Sequence, residues 1–520
     1  MEGQDLDINE LAPSLRKRFY EPLILLYCFC AILARSQNSS KPPDLESGDD
    51  KSPAKRFECF VNKLGQVCDR RRGGDTVTAF AILQTGCVEY RFAVNRLDDR
   101  GLAETAQYVK DLLNTLGSAP RQTALEAKDR QDSTLFSSVM HKILAFNQSR
   151  ISFYINSQLL KNLEFCIGVC QEAGQDGDLA AASDLLVLKD LAGPAGEDGV
   201  SPSEFATRTH ELLKAISQLY RQDRFRDYMS EKTREDREGA IQTPWTELFH
   251  GIGRLESYSI TVKVFLAARH RWPELFEHFQ VSHIPTTEPA DTPSIRRSCM
   301  GIIKRLTTDP TVLDAFNAHA NAGQSDFVKE LDKEIAKRVK PKNFQPIVHA
   351  EVNLSNDIIQ DERHPQSVDG DRVRFYNEAN FGRYIGCSKP SCRLCELYFQ
   401  APSGPNMRVR SGHHNLYYNW RAPDLDPQDG SAGAAARNKV LEWMVQSIKA
   451  QAAQTIKQRF AMRNPHDSNT IPSNPLTTDY SVITMADGAN WDMVSTFGQM
   501  GLGPGQSRGA DDGEDGGAKL

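Results

Sequence analysis

Apolar residues recur at three-and-four spacing along most of the chain, which predicts a mainly helical protein. The first such stretch covers 9–36 within an N-terminal unit at 1–36. Its most apolar run, 22–34, is short of the ~20 residues that span a bilayer, so it reads as a buried helix with Cys28 and Cys30 in its core. A linker follows at 37–56, with Pro42-Pro43 and mixed charges. Helical spacing resumes at 57 and then changes period. Two β-rich runs, 76–83 and 88–95, meet at Gln84-Thr85-Gly86-Cys87 and predict a β-hairpin at 76–95. A helix over 102–116 completes an α/β segment at 57–131.

From 132 to 340 the pattern is almost wholly helical, broken by loops at 193–202 and 286–293. Helices are expected at 203–219, 245–251, 255–279, 295–306, 311–318 and 326–339. Past this region the period changes again. Pro346 suits a helix start at 346–359, a polar loop fills 361–374, and 383–388 reads as a strand. A helix at 392–400, a strand at 407–411 and a long helix at 431–462 follow. That last helix carries Val440, Leu441, Met444, Ile448 and Ile456 on one stripe, which suits packing across a sheet. The Gly- and Asp-rich tail, 463–520, is expected to be disordered.

The chemistry concentrates at 341–426. His349 and Glu351 stand two apart after Pro346, and Cys392 and Cys395 form a Cys-x-x-Cys after Pro390. In a first helical turn His349 and Glu351 can both reach an ion off the helix end. Cys392 and Cys395 share one helix face, and a helix N-terminus favours their thiolates. One His and two Cys give Zn2+ three ligands and leave the fourth position for water, with Glu351 as proton carrier. The alternative uses Cys387. If it turned inward, His349, Cys387, Cys392 and Cys395 would close a structural site.

These residues resemble the zinc-dependent nucleotide and nucleic-acid (cytidine deaminase-like) deaminase superfamily, whose pattern is His-x-Glu and then Pro-Cys-x-x-Cys. The run Tyr384-Ile385-Gly386-Cys387-Ser388-Lys389-Pro390-Ser391-Cys392-Arg393-Leu394-Cys395 is more similar to a fungal clade of OTT-type deaminase-like proteins. So is His413-His414-Asn415-Leu416-Tyr417-Tyr418-Asn419-Trp420-Arg421-Ala422-Pro423. Ser391, between Pro390 and Cys392, departs from the wider pattern. The resemblance implies an α+β fold, mainly helical, with a small three-layer α/β/α cytidine-deaminase-like module and large helical additions. It also implies that the hairpin at 76–95 supplies that module's first strands. The alternative for that hairpin is a separate small α+β module.

Charge sharpens the picture. The 520 residues carry a formal charge of -6, which argues against a general nucleic-acid coat. Arg70-Arg71-Arg72 sits among Asp69, Gly73, Gly74 and Asp75 and reads as a solvated turn. Locally, Arg383, Lys389, Arg393, Arg408, Arg410 and Arg421 face one acid, Glu396, with tyrosines and Trp420 interleaved. That suits a phosphate-bearing base, with Lys389, His413, His414 and Trp420 as candidate substrate contacts; a solvated face over core rings is the bland alternative. The 11 scattered Cys suggest a reducing compartment. The acidic start, Met1-Glu2-Gly3-Gln4-Asp5, does not resemble a signal peptide, so an intracellular setting, cytoplasmic or nuclear and without membrane contact, is expected. The leading functional expectation is hydrolysis of an exocyclic amine on a base, nucleoside, nucleotide or nucleic acid. A zinc-stabilised helical interaction protein that binds a protein partner, with a relict deaminase fold, is the second class. A toxin- or defence-related nucleic-acid editor is the third.

Overall fold

The computed structural model describes residues 11–35, 39–40, 52–118, 125–219, 221–239, 244–321, 327–364, 373–412, 415–459 and 461–462. The tail expected at 463–520 lies outside them, as does most of the linker. The chain begins with α1 (Pro13–Arg35), β1 (Ser39–Ser40) and α2 (Pro53–Cys68), then β2 (Thr78–Gln84), β3 (Val88–Val94) and α3 (Asp99–Ser118). Helices α4 (Leu125–Phe146) and α5 (Gln148–Tyr154) run into a π-helical turn, Ile155–Leu160. Then come α6 (Lys161–Ala173), α7 (Asp176–Ala195), α8 (Pro202–Leu219), α9 (Asp223–Gly239) and α10 (Pro244–Arg271). After β4 (Phe279–His283) the chain forms α11 (Cys299–Leu306), α12 (Pro310–Asn321), α13 (Phe327–Arg338) and α14 (Ala350–Arg363). It closes with β5 (Arg374–Phe375), α15 (Glu378–Phe381), β6 (Tyr384–Cys387), α16 (Arg393–Gln400), β7 (Arg408–Val409), α17 (Gly430–Gln458) and β8 (Ala461–Met462).

The mixed sheet has the order β4-β3-β2-β6-β7, and β5 also pairs with β2. Gly86, with φ 84°, makes the tight connection between β2 and β3 in the left-handed region that glycine tolerates. β6 lies antiparallel to β2, with Ala79 opposite Cys387 and Phe80 opposite Gly386. The hairpin and the strand before the Cys-x-x-Cys are therefore direct neighbours.

Two expectations are corrected here. The helix expected over 255–279 is the end of α10, which runs unbroken through Gly251 and Gly253 and stops before Trp272-Pro273. Pro273 lacks the N–H that would continue the ladder. The chain then enters β4, parallel to β3, so the helical region covers that side of β3 with a strand of its own. The helix expected over 295–306 starts only at Cys299, where the Ser298 hydroxyl caps it by accepting from the Gly301 amide at 3.4 Å.

Alternation along the strands divides the core into two layers against the sheet. Phe80, Ile82, Tyr90, Phe92 and Val94 face α2, α3 and α10 in the largest apolar cluster. The opposite face presents Ala79, Ala81, Leu83, Ala93 and Ile385, and α14 settles on it through Ala350, Leu354 and Ile358. The small alanines let α14 approach closely. A third cluster joins α1, α11, α13, α16 and α17. α17 packs along α1 and α12, not across the sheet, because its apolar stripe meets the equally apolar α1. No described helix is long and apolar enough to cross a membrane.

α2 lies very close to β6. A Cβ on Gly386 would stand 2.7 Å from the Val61 carbonyl carbon and 2.8 Å from the Asn62 nitrogen. A Cβ on Gly65 would stand 2.7 Å from the Ser388 nitrogen. The obstacles are backbone, so neither can yield cheaply. The Asn62 side chain uses this proximity, accepting from the Cys387 amide at 3.1 Å and the Tyr384 hydroxyl at 3.0 Å. Gly386→Ala is expected to cost about 1–3 kcal/mol, the usual cost of overpacking. A urea melt checks it, and an unchanged midpoint would sink the account.

Candidate metal centre and its cavity

α14 begins at His349, which holds the N-cap position with extended backbone. Its carbonyl accepts from the Val352 and Asn353 amides at 3.0 and 2.9 Å. The next amide, Ala350 N–H, donates to the Asn95 side chain at 2.7 Å, which ties the helix start to the end of β3. The segment before it is pinned by a parallel bridge between Ile347 and Trp420. Glu351 occupies the first turn and is buried.

From β6 the chain turns through Ser388, whose amide donates to the Thr78 carbonyl at 2.9 Å, and then through Pro390. It delivers Cys392 as the N-cap of α16, with Cys395 one turn on. The two helix N-termini thus meet. His349 Nδ1 lies 3.5 Å from Cys392 Sγ and 3.4 Å from Cys395 Sγ, and the two sulfurs are 3.5 Å apart.

These spacings suit a tetrahedral ion. Zn–S of ~2.3 Å and Zn–N of ~2.0 Å separate two sulfurs by about 3.8 Å, and a sulfur from a nitrogen by about 3.5 Å. Among the described residues, His349, Cys392 and Cys395 form the one group whose donor atoms converge in this way. The donor set, two thiols and an imidazole, is one that zinc favours. The electrostatics agree. Burial works against the Cys392 thiolate, but the hydrogen bond from Cys395 and the charge of His349 hold its pKa well below the ordinary range. Burial pushes the Cys395 thiol well up, and Cys392 adds to that. Burial opposes the His349 charge, yet the adjacent Cys392 raises its pKa. Burial also raises Glu351, whose carboxylate is hydrogen-bonded with Cys395. A divalent ion held there would take the place of the protons this cluster shares.

Cys387 stays outside the group. It ends β6 in register with Ala79, and its thiol packs on the α14 side of the sheet. It is not one of the converging donors, though it lines the same cavity as His349, Glu351 and Cys392. Trp420 is corrected as a substrate contact. It is fully buried against Phe19 and Tyr398, with ring centroids at 5.8 and 6.0 Å. Tyr417, three residues earlier, lines the cavity instead, its ring 6.4 Å from that of His349. His413 and His414 lie outside the described residues.

A cavity of about 550 Å3 opens beside His349, Glu351 and Cys392. Of the local basic patch expected from sequence, Lys389 alone lines it. Arg383 pairs with Glu362, Arg393 with Glu396, Arg408 with Glu58 and Arg421 with Asp424. Arg410 donates to the Cys387 and Ser388 carbonyls. The cavity's other cations are Arg72, Arg96, Arg150 and Arg254. Arg72 belongs to the exposed turn at 71–75 that its sequence neighbours predict, and the same turn forms the cavity rim. Phe153, Tyr154 and Gln158 come from the helical region, where apolar periodicity alone gave no sign of a site.

Elemental analysis is expected to find one ion per chain in the wild type and in Cys387→Ser, and none in Cys395→Ser. Loss of the ion in Cys387→Ser would refute the three-ligand assignment.

Residues 348–424 match the family model of OTT_1508-like deaminases. No curated protein and no solved structure matches the chain. The stretch that contains His349, Glu351, Cys392 and Cys395 is deaminase-like, similar over those residues to that family.

Proposed function

We propose that the protein is a zinc-dependent deaminase that removes an exocyclic amine from a base, nucleoside, nucleotide or nucleic acid. The observation that carries this reading is a three-donor group with a buried carboxylate beside it and a cavity on the same side. A structural site takes four protein ligands and needs neither. His349, Cys392 and Cys395 would hold the zinc. Bound there, zinc supplies a Lewis acid that brings the pKa of water close to neutrality. Glu351 accepts the proton that the water gives up and hands it to the departing amine. A C–O bond forms, the exocyclic C–N bond breaks and ammonia leaves, so no oxidant or reductant enters.

Burial suits Glu351 to this work. Its raised pKa brings the carboxyl nearer to neutral pH, where it can both take and return a proton. Its place in the first turn of α14, one helix start away from Cys395, fixes the carboxylate relative to the ligands. Tyr417 and Phe153 line the cavity with aromatic rings that an aromatic base could contact.

The test is ammonia release from a panel of bases, nucleosides, nucleotides and single-stranded nucleic acids. The Glu351→Gln protein is expected to keep its ion and to lose roughly a hundredfold to ten-thousandfold in turnover. Wild-type turnover in that variant, or no ammonia from any substrate with metal-loaded wild type, would overturn the reading.

A further inference from the structure

The cavity has a second end. Away from the three ligands its wall is built by the α2–β2 turn and by the helical region. The Arg72 guanidinium lies 4.2 Å from the centre of the Phe153 ring, which orients it at the rim. Arg254 donates to the Gln158 side chain at 2.6 Å and stands 5.6 Å from the Tyr154 ring centre. Lys389 reaches across to the Gly73 carbonyl at 3.0 Å, and Arg96 donates to the Gln345 carbonyl at 3.1 Å. The fifth cation of the lining, Arg150, is paired with the buried Asp69 at 2.6 Å. The acids of the lining are Asp75 and Glu351.

A second observation falls in the same place. The helix that runs from α5 to α6 is interrupted by the π-helical turn Ile155–Leu160, and Gln158 of that turn lines the cavity. Such turns are irregular, and in helices they frequently mark functional positions. Here the turn sits where the helix presents Tyr154 and Gln158 to the cavity.

We infer that this wall, led by Arg72 and Arg96 with Lys389 and Arg254, is an anion subsite that takes the phosphate of a nucleotide whose base faces the metal centre. A phosphate offers several acceptor oxygens to guanidinium donors, and cations on two sides of a cavity can bind it together. The base end of the inference rests on the deaminase reading; the phosphate end does not. The phosphate belongs either to a free mononucleotide or to a nucleotide unit within a strand.

The test is calorimetric titration of the full-length, metal-loaded Glu351→Gln protein, in which turnover does not interfere. The probes are inorganic phosphate, adenosine and cytidine, their 5′-monophosphates, and a single-stranded oligonucleotide. Inorganic phosphate should bind, and at least one monophosphate or the oligonucleotide should bind more tightly than the corresponding nucleoside. Adding Arg72→Ala and Arg96→Ala should weaken the phosphate-bearing probes by about tenfold or more, as for loss of charge-assisted bonds, and leave nucleosides unchanged. Adding instead Lys214→Ala, at an exposed position of α8 outside the cavity lining, should change nothing. Monophosphate binding with this arginine dependence assigns a free nucleotide, and oligonucleotide binding alone assigns a strand; both support the subsite. Phosphate binding that is absent, or unchanged in the double arginine variant, overturns it. Ammonia release bears only on the deaminase reading, so the two can fail separately.

Discussion

The structure depends on one non-local pairing, β6 laid antiparallel against β2. It joins residues about three hundred positions apart and costs the chain the closure of a long loop, a cost that grows only slowly with length. What it secures is geometric. With Cys387 opposite Ala79, the chain leaves the sheet at Ser388 and has four residues, 388–391, in which to bring Cys392 to the start of α16. On the same sheet face, Ala350 and Leu354 seat α14 over small alanines and leave His349 at its near end. Shift the register by one residue and Cys387 would turn to the opposite face, carrying the cysteine loop away from His349. The closeness of α2, fixed by Gly65 and Gly386, guards that register from the other side.

The helical region is tied to this centre by a buried ion pair. Arg150 meets Asp69 at 2.6 Å. Asp69 also accepts from the hydroxyls of Thr76 and Ser388, at 2.8 and 3.4 Å. One carboxylate therefore fastens α5, the rim turn before β2 and the loop that carries the cysteines. A pair so buried gains little over apolar packing, but removing either partner strands a charge. Its contribution is best seen as positional: it sets the distance between the metal centre and the wall formed by Phe153 and Tyr154.

Where the sequence was legible, short-range physics was sufficient. The hairpin announced itself by its alternation and by Gly86, and the two helix starts by Pro346 and Pro390. The converging group of His349, Cys392 and Cys395 was legible because metal-ligand chemistry restricts residue types and spacing. What was hidden depended on distant partners. Trp420 looked available because aromatic rings among basic residues suit both a ligand and a core; only the arrival of α1, with Phe19, decides for the core. The basic patch looked free because its acids, Glu58 and Glu362 among them, lie far off in sequence or beyond the loop. β4 was concealed inside a helical pattern because its five residues gain their hydrogen bonds from β3 alone.

The same reasoning bears on why so much helical chain surrounds so small a sheet. Helices added only for stability would cover the apolar face of the sheet and leave the metal side to its own loops. Here α2, α3 and α10 do cover that face, yet α5 and the π-helical turn also extend around to the cavity. The helical region thus supplies one wall and the deaminase-like segment the other, with the ligands near their junction. A substrate held between them would meet the candidate ligands at one end and, at the other, cations of which only Lys389 comes from the segment that carries those ligands. Specificity and chemistry are then divided between two parts of one chain. The deaminase-like segment 348–424 holds the converging donors, while the cavity beside them also draws on residues outside it.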